Sequence, residues 1–297
     1  MFTFLQITKH KFVWFFCYFY HQRIAIVERY FCYLIIWVCC CSTNGYIGYL
    51  RFSSKGSVNQ TTNRSCNFHF RIRKIQRISS TEFPYLITGL YTKYSNTIKV
   101  AKEVIGIQPE YKHFGTMHII NSKKGTYFLA DTLINRHPDT DTLIDIAKLS
   151  KQTVEFFNHK PTMAMLSYSN FGSDNEGSPA KVHEAVEILQ QIYPDLAIDG
   201  EMQVKFAMNK EARDEKYPFN KLKGKEVNTL VFPNLSSANA TYQLIQSMSE
   251  TEVIGPIQMG LNKPIHFTDC EASVRDIVNI TAVAVIDAIV EKKKKNR

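Results

Sequence analysis

Two short stretches of the sequence hold side chains whose types and spacing could bind an anion or form a reaction centre. The first, SYSNFGS (residues 167–173), places Ser167, Ser169 and Ser173 beside Gly172, between a strand-like and a helix-like segment. Hydroxyl groups and backbone amides ahead of a helix suit a phosphate group, because unpaired N–H groups and the helix dipole attract negative charge. An ordinary polar loop is the alternative interpretation.

The second stretch, TDCEASVRDIV (residues 268–278), places acids and a thiol directly before the last helical pattern. The stretch could be a reaction centre or the remains of one, and Cys270 is its candidate nucleophile. A nucleophilic cysteine needs a base nearby, and His266 is the only histidine close to Cys270 in the sequence. The pattern therefore disfavours a catalytic cysteine.

A third candidate is IDGEMQ, where Asp199 and Glu201 lie two residues apart at a strand end. Residues so spaced in a strand face the same side, which suits a general acid/base pair, although a cap or a surface feature is the alternative. Nucleotide-binding glycine loops, H-E-x-x-H and G-x-S-x-G are absent from the sequence, and so is any C-x-x-C pair. These absences weaken the case for the common nucleotide, zinc and serine-hydrolase sites, and we expect no metal.

The first 83 residues differ in composition from the rest of the chain. They hold 11 Lys and Arg against two acids, which equals the whole net charge of +9, so the basic pI does not indicate a nucleic-acid-binding protein. Six of the seven cysteines precede residue 84, in no zinc or disulfide pattern. The apolar run YFCYLIIWVCCC is shorter than the roughly 20 residues of a membrane span. We interpret residues 1–83 as an unrelated extension, produced by gene truncation or a wrongly assigned start, with an irregular membrane anchor as the alternative.

From Pro84 onward, strand-like and helix-like segments alternate at lengths typical of α/β architecture. HFGTMHII and TYFLADTLI, joined by NSKKG, predict a β-hairpin, and DTDTLIDIAKLSKQTVEFF predicts a helix with one buried face. Ser178 and Pro179 predict the cap and the first turn of the helix AKVHEAVEILQQIYP. Further strands are predicted at TMAMLSYS, LAIDGEM and TLVFPNL, and further helices at ANATYQLIQSMSE and from SVRDIV to the final lysines.

Seven collinear motifs carry a resemblance to a known family. They are TGLYTKYSNTIKVAKEVIG, YFLADTLIN, MLSYSNFGS, DGEMQ, NTLVFPNLSSAN, EVIGPIQMGLNKPI and SVRDIVNITAVAVIDA. From about Phe83 to the C-terminus the chain resembles the phosphate acetyl/butyryl transferase (phosphotransacetylase) family. Within that family it is most similar to the phosphotransacetylase-like domain that forms the C-terminal part of bacterial NADP-dependent malic enzymes.

The resemblance implies a fold of two α/β domains around a coenzyme A cleft, of the phosphotransacetylase and isocitrate dehydrogenase type. Residues 84–297 are expected to form the transferase-like part of the chain, with subdomain II at 106–255. Subdomain I is expected only as a remnant, at 84–105 and 256–297, with its N-terminal part missing. We expect apolar surface on that remnant unless a second copy of the chain covers it.

The family reaction that the resemblance implies moves an acetyl group between coenzyme A and phosphate, which needs a base for the thiol and cationic donors for phosphate. Asp276 matches the family's base. The positions implied to contact substrate or coenzyme A are Ser167, Ser169, Gly172, Ser173, Lys99 (an arginine in the family) and Asn239. The positions that depart from the family pattern are Asp269, Cys270 and Glu271, which replace Ser-Arg-Gly, and Gln243, which replaces lysine. Acids at a phosphate site repel the substrate.

The resemblance and its departures together predict a domain that binds acetyl-CoA as a regulatory ligand and helps to assemble a homo-oligomer, with weak or no transferase activity. Two alternatives stay open: an active phosphate acetyl/butyryl transferase, and a fragment of an NADP-dependent malic enzyme with no independent function. We expect a cytoplasmic protein without a covalently bound cofactor, a nucleic-acid partner or a membrane partner. Malate oxidation is not expected, because the chain has none of the malic enzymes' N-terminal catalytic segments.

Overall fold

Two units make up the described part of the chain. The computed structural model describes residues 5–8, 11–18, 23–28, 35–38, 86–90, 94–248, 251–269 and 272–295. Backbone contacts divide the chain into unit one, residues 1–106 and 262–297, and unit two, residues 107–261.

The helices and strands of the described residues alternate along much of the chain, which is the α/β pattern that the sequence predicts. In chain order they are β1 (Leu5–Thr8), β2 (Lys11–Tyr18), β3 (Arg23–Glu28), β4 (Ile35–Val38), β5 (Leu86–Leu90), α1 (Tyr94–Val104), β6 (Gly115–Ser122), β7 (Gly125–Ala130), α2 (Thr140–Phe156), β8 (Thr162–Leu166), α3 (Gly177–Ile192), β9 (Ala197–Met202), α4 (Val204–Ala207), α5 (Lys210–Lys216), β10 (Thr229–Val231), α6 (Leu235–Met248), β11 (Glu252–Met259), β12 (Ile265–Asp269) and α7 (Val274–Lys295).

Unit two is built on a six-stranded mixed sheet with the strand order β11-β6-β7-β10-β8-β9. Strands β7, β10, β8 and β9 run parallel, whereas β6 is antiparallel to both β7 and β11. The β6–β7 pair is the hairpin that the sequence predicts, with Lys123 and Lys124 in its turn. Because parallel strands have their carboxyl ends at the same edge, the loops after β7, β8, β9 and β10 meet there, at the edge where open α/β sheets bind ligands.

Both faces of this sheet are covered by apolar side chains. Leu129 and Leu230 belong to a core cluster that also contains Ala238 of α6. The neighbouring residue Phe128 is fully buried and contacts Phe157 at the end of α2, with ring centroids 6.3 Å apart. Successive residues of a strand face opposite sides, so Leu129 and Phe128 mark two separate cores. This arrangement suits parallel strands, which are typically buried on both faces.

The helix α2 shows how local sequence determines its own boundaries and burial. The carboxylate of Asp139 accepts a hydrogen bond from the amide of Thr142 at 2.8 Å, which caps the start of the helix. Leu143, Ile146 and Leu149 recur at helical spacing and are buried. The helix and its Asp- and Thr-rich start confirm the prediction from the sequence.

The start of α3 differs from the prediction. Ser178 is predicted as the cap, but α3 begins at Gly177 with Glu176 as its N-cap, and no side chain caps it by a hydrogen bond. Gly177 adopts a φ of 58°, a conformation open to glycine, so the chain turns into the helix before Ser178. Pro179 lies in the first turn as predicted, and the Ser178 hydroxyl has no hydrogen-bond partner among the described residues.

The described residues of unit one form two separate sheets. Strands β1, β2 and β3 form an antiparallel sheet, and β4, β5 and β12 form a parallel sheet in the order β12-β5-β4. Helix α7 packs on β12 and β5 and carries exposed apolar side chains, namely Val274, Ile286 and Ile289. In the described part of the chain, no helix has both the length and the apolar character needed to cross a membrane.

The contact-based boundary between the units lies after Leu261 rather than after residue 255. The reason is that β11 pairs with β6 from Glu252 to Met259, so the whole strand belongs to unit two. The other boundary, after Gly106, lies next to the expected one. The assignment of these units to family subdomains stays a prediction.

Candidate functional site

The hydroxyl loop, defined as residues 167–173, follows β8 at the carboxyl edge of the parallel strands of unit two. Asn239 of α6 lies at the same edge, where its Nδ2 donates to the carbonyl of Thr132, after β7, at 3.5 Å. Gln243, one turn further along α6, is exposed. The predicted ligand contacts that the structure brings to this edge are Ser167, Ser169, Gly172, Ser173 and Asn239.

All three loop serines use their hydroxyls in local hydrogen bonds, and Ser173 Oγ accepts from the amide of Asn170 at 3.0 Å. Ser169 is buried, and its Oγ donates to Glu201 Oε1 at 3.0 Å and accepts from the amide of Asp174 at 3.0 Å. The Oγ of buried Ser167 accepts from the amide of Ser169 at 3.2 Å. Ser173 is exposed, although its Oγ lies 2.8 Å from that of Ser169. Ser173 is therefore the one serine of this loop that presents its side chain to solvent.

The backbone amides of residues 169–174 are also satisfied within unit two. The amide of Phe171 donates to the carbonyl of Glu201 at 2.8 Å, and the amide of Gly172 donates to Glu201 Oε1 at 2.7 Å. The amide of Asn170 donates to a loop hydroxyl at 3.0 Å. The expectation that unpaired amides here meet a phosphate is wrong for residues 169–174, because the loop hydroxyls, a loop carbonyl and Glu201 take these N–H groups.

Glu201 of β9 organises this loop. Its side chain is fully buried, with one carboxylate oxygen bound to the loop and the other 3.1 Å from Nδ1 of half-exposed His183. The loop donors to the carboxylate are the Ser169 hydroxyl and the Gly172 amide. Hydrogen bonds from several donors offset the cost of burying a carboxylate. The sequence shows Glu201 as an acid within a strand-like segment. Nothing in the neighbouring sequence indicates that His183, 18 residues away, contacts it.

Asp199 and Glu201 serve different loops and do not form an acid/base pair. Asp199 Oδ2 accepts from the amide of Lys221 at 2.6 Å, and Oδ1 accepts from Gln190 Nε2 at 3.2 Å and from the amide of Gly200 at 3.0 Å. Burial raises the pKa of Asp199, and these hydrogen bonds oppose the rise. Each carboxylate is thus a buried acceptor of structural hydrogen bonds, which is neither the cap nor the surface feature that the alternative interpretation of IDGEMQ expects.

Lys181 of α3 connects two further loops at the same edge of the sheet. Its Nζ donates to the carbonyl of Pro138 at 2.6 Å and to that of Pro233 at 3.1 Å. Desolvation by burial lowers the pKa of Lys181, and the nearby carboxylate of Asp139 opposes the change. Sequence reasoning missed this residue because its partners are backbone carbonyls that no side-chain pattern reveals.

A buried polar network begins at the end of β7. Asp131 accepts from Thr116 Oγ1 at 2.6 Å, and Thr116 Oγ1 lies 3.3 Å from Thr132 Oγ1. Thr132 Oγ1 lies 2.8 Å from Nδ1 of His118, whose ring stacks on Tyr242 at a centroid distance of 4.2 Å. Burial lowers the pKa of His118 to about 4, so the ring is neutral at pH 7.

Because His118 is buried in its neutral form, we expect the folded chain to lose stability in mild acid. Its pKa is about 4 in the folded chain and about 6.5 when unfolded, so the unfolded chain binds the extra proton between these values. The contribution of His118 is complete above pH 6.5 and decreases as pH falls towards 4. We expect His118→Gln to remove about 2 kcal/mol of the pH dependence of unfolding between pH 7 and 5, measured by urea titration. Buried His266 has a similarly lowered pKa and remains in the variant, so an unchanged pH dependence would exclude His118 as a cause.

Unit one carries the remaining predicted site residues. Lys99 lies exposed on α1, and Asp269 is the last residue of β12, paired with Leu90 of β5. Cys270 and Glu271 lie outside the described residues.

Asp276 caps helix α7. Its Oδ2 accepts from the amide of Ser273 at 2.9 Å and from the Ser273 hydroxyl at 2.7 Å, while the amide of Asp276 donates to Ser273 Oγ at 3.2 Å. This reciprocal pattern is a capping box, in which the first turn of the helix satisfies its own donors. The role of Asp276 as a base stays a prediction.

The mixed sheet of unit two, with polar loops at the carboxyl edge of its parallel strands, defines an α/β protein of the class that binds ligands at that edge. No group of three or more His, Cys, Asp or Glu is placed to hold a metal ion within the described residues. The family profile described as phosphate acetyl/butaryl transferase matches residues 49–285. The chain belongs to this family. The matched range begins inside residues 1–83, the segment that the sequence analysis interprets as an extension.

Relatives of two kinds are similar to this chain. The NADP-dependent malic enzyme of Salmonella typhimurium is 39% identical over 204 residues, which are 68% of this chain and 27% of the enzyme. The phosphate acetyltransferase of Clostridium acetobutylicum is 40% identical over 167 residues, 56% of this chain and 50% of that protein. A phosphotransacetylase structure from Streptococcus pyogenes superposes with a TM-score of 0.67 at 30% identity, covering 73% of this chain and 66% of that one. The chain thus spans about a quarter of the malic enzyme's length.

Proposed function

We propose that this chain binds acetyl-CoA or coenzyme A at the carboxyl edge of unit two and transfers acetyl groups weakly or not at all. The family and the phosphate acetyltransferases among its relatives support coenzyme A as the ligand. The malic enzymes among its relatives support a regulatory role, in which acetyl-CoA is an effector and the domain contributes to a cytoplasmic homo-oligomer.

The observation that carries the binding proposal is the buried carboxylate of Glu201. A fully buried acid is costly, and here its hydrogen bonds give one loop a fixed shape. That loop contains Phe171 with a φ of 48° and Gly172 with a φ of 81°, both in the left-handed region. Strained backbone supported in this way is typical of ligand-binding positions.

The proposed loss of acetyl transfer rests on three residues of unit one. Asp276, the matched base, has one carboxylate oxygen bound twice by Ser273, so it is used as a helix cap. Asp269, at a position where the family has a serine, adds negative charge where a phosphate needs donors. Lys99 keeps a positive charge but lacks the fork of the arginine that it replaces.

A coupled assay for acetyl phosphate formation from acetyl-CoA and phosphate tests this proposal. We expect no turnover above the blank, together with an upward shift of the melting temperature on addition of acetyl-CoA, because a ligand that binds only the folded state stabilises it. Acetyl-CoA that leaves the melting temperature unchanged at millimolar concentration would contradict binding.

Two matched variants distinguish the active-transferase alternative from the proposed function. Asp276→Asn removes the carboxylate, and Ser273→Ala removes the cap but keeps the carboxylate; each is expected to cost about 1 kcal/mol of stability. If the chain does turn over and Asp276→Asn abolishes turnover while Ser273→Ala does not, Asp276 acts as the base and the proposal is wrong.

A further inference from the structure

An aromatic surface adjoins the hydroxyl loop. It consists of Phe171 in the loop and of Tyr217 and Phe219, which lie between β9 and β10, and Tyr217 packs on the buried ring of Phe206. The ring centroids of Phe171 and Tyr217 are 4.7 Å apart, and those of Phe171 and Phe219 are 5.3 Å apart. The aromatic surface is therefore continuous with the proposed ligand-binding loop through Phe171.

Phe219 is the ring of this surface that faces solvent. It is 69% exposed, and its contacts with Phe171 and Tyr217 are edge contacts at interplanar angles of 80° and 76°. Such contacts orient the ring without covering it. Tyr168, in the hydroxyl loop, is also 63% exposed, and its hydroxyl donates to Asp174 at 2.7 Å. Large exposed aromatic rings beside the hydrogen-bonded hydroxyl loop indicate a surface that binds a ligand or a partner.

Two lysine side chains lie over the same rings. Lys216 Nζ is 5.2 Å from the ring centroid of Phe206 and 5.6 Å from that of Tyr217, and Lys205 Nζ is 5.6 Å from that of Phe206. Within the described residues, neither ammonium group forms an ion pair with a carboxylate. The surface therefore combines aromatic faces with positive charge that is available to an anion.

We propose that the aromatic surface binds the adenosine 3′-phosphate end of coenzyme A, with the adenine stacked on Phe219 and the 3′-phosphate beside Lys205 and Lys216. This inference rests on the proposed binding of coenzyme A and adds where the nucleotide end lies. The amides of residues 169–174 are already bonded, so phosphate charge must be met by side chains. A protein partner is a poorer match, because lysine is depleted in the cores of protein interfaces, whereas bases stack on aromatic rings.

The first test measures coenzyme A affinity by calorimetry on the full chain. Phe219→Ala is expected to weaken binding about tenfold, the size of one lost base–aromatic stack. The matched control is Met248→Ala at the end of α6, which removes a side chain of 78% exposure and is expected to leave affinity unchanged.

The second test compares coenzyme A with dephospho-CoA, which lacks the 3′-phosphate. Lys216→Gln combined with Lys205→Gln is expected to weaken coenzyme A binding about tenfold while changing dephospho-CoA binding less than threefold. The matched control is Lys160→Gln, an exposed lysine that precedes β8 and so lies at the opposite edge of the sheet from the hydroxyl loop.

The outcomes separate this inference from the proposed function. If the unmodified chain binds neither ligand, both are overturned. If it binds coenzyme A and Phe219→Ala binds equally well, only the placement of the adenine is overturned. Equal losses for both ligands in the lysine variant would overturn the assignment of the 3′-phosphate. A change of oligomeric state in Phe219→Ala with unchanged affinity would show that a second copy occupies the surface instead.

Discussion

Glu201→Gln is expected to loosen the hydroxyl loop and to weaken acetyl-CoA binding by at least tenfold. Glutamine keeps the volume of the side chain but carries no charge. Its amide nitrogen replaces one carboxylate oxygen and places an N–H donor towards His183. Charge-assisted hydrogen bonds contribute roughly 1.5–3 kcal/mol each, about twice as much as neutral ones. Amide hydrogen exchange at Phe171 and Gly172 should become faster, and calorimetry with acetyl-CoA should give the change in affinity.

Asp145→Asn is the matched control for this prediction. Asp145 of α2 is also a buried carboxylate, and its Oδ2 accepts from the amides of Lys112 and His113 at 3.0 Å and lies 3.1 Å from the His113 ring nitrogen. It supports a different loop, so its replacement should lower stability without changing acetyl-CoA affinity. If both variants lose affinity equally, or if neither does, Glu201 has no special part in positioning the loop.

Arg213→Met is expected to lower the free energy of unfolding by about 3 kcal/mol. The guanidinium is fully buried, and its Nη2 donates to the carbonyls of Leu222 and Lys225 at 2.9 and 2.7 Å. Methionine fills a similar volume but leaves both carbonyls without their donor, and it leaves Asp214 without its ion-pair partner. Urea unfolding followed by far-UV circular dichroism measures the loss.

Two further variants make the Arg213 result specific. Arg213→Lys keeps the charge, but its single ammonium cannot take both the Nε position beside Asp214 and the Nη2 position between the two carbonyls, so it should recover less than half of the loss. Lys225→Gln changes only the exposed side chain of a residue whose backbone carbonyl accepts from Arg213. It should leave the free energy of unfolding unchanged within about 0.5 kcal/mol. A loss below about 1 kcal/mol in Arg213→Met would mean that water replaces the guanidinium and that the segment is not held by it.

The segments that the sequence predicts well are those whose signals are local. Asp139 and Thr142 lie three residues apart, so the cap of α2 can be recognised from the pattern alone. The β6–β7 hairpin depends on two adjacent strands and a short turn. The capping box of Ser273 and Asp276 is equally local, although the family resemblance drew attention to Asp276 as a base instead.

The features that the sequence does not predict depend on long-range contacts. The serine hydroxyls suggest free ligand contacts, but Ser169 is bonded to Glu201, 32 residues away in sequence. The aromatic surface joins Phe171 to Tyr217 and Phe219 across three helices and a strand, and no periodicity links them. Packing of β8 beside β9 creates both arrangements, so they become visible only when the strand order is known.

Acetyl-CoA binding is tested most directly by a calorimetric titration of the full chain with acetyl-CoA in the absence of phosphate. We expect saturable binding at one site per chain, with an affinity that falls in Glu201→Gln and is kept in Asp145→Asn. The absence of saturable heat up to millimolar acetyl-CoA, from a chain that unfolds cooperatively, would contradict it.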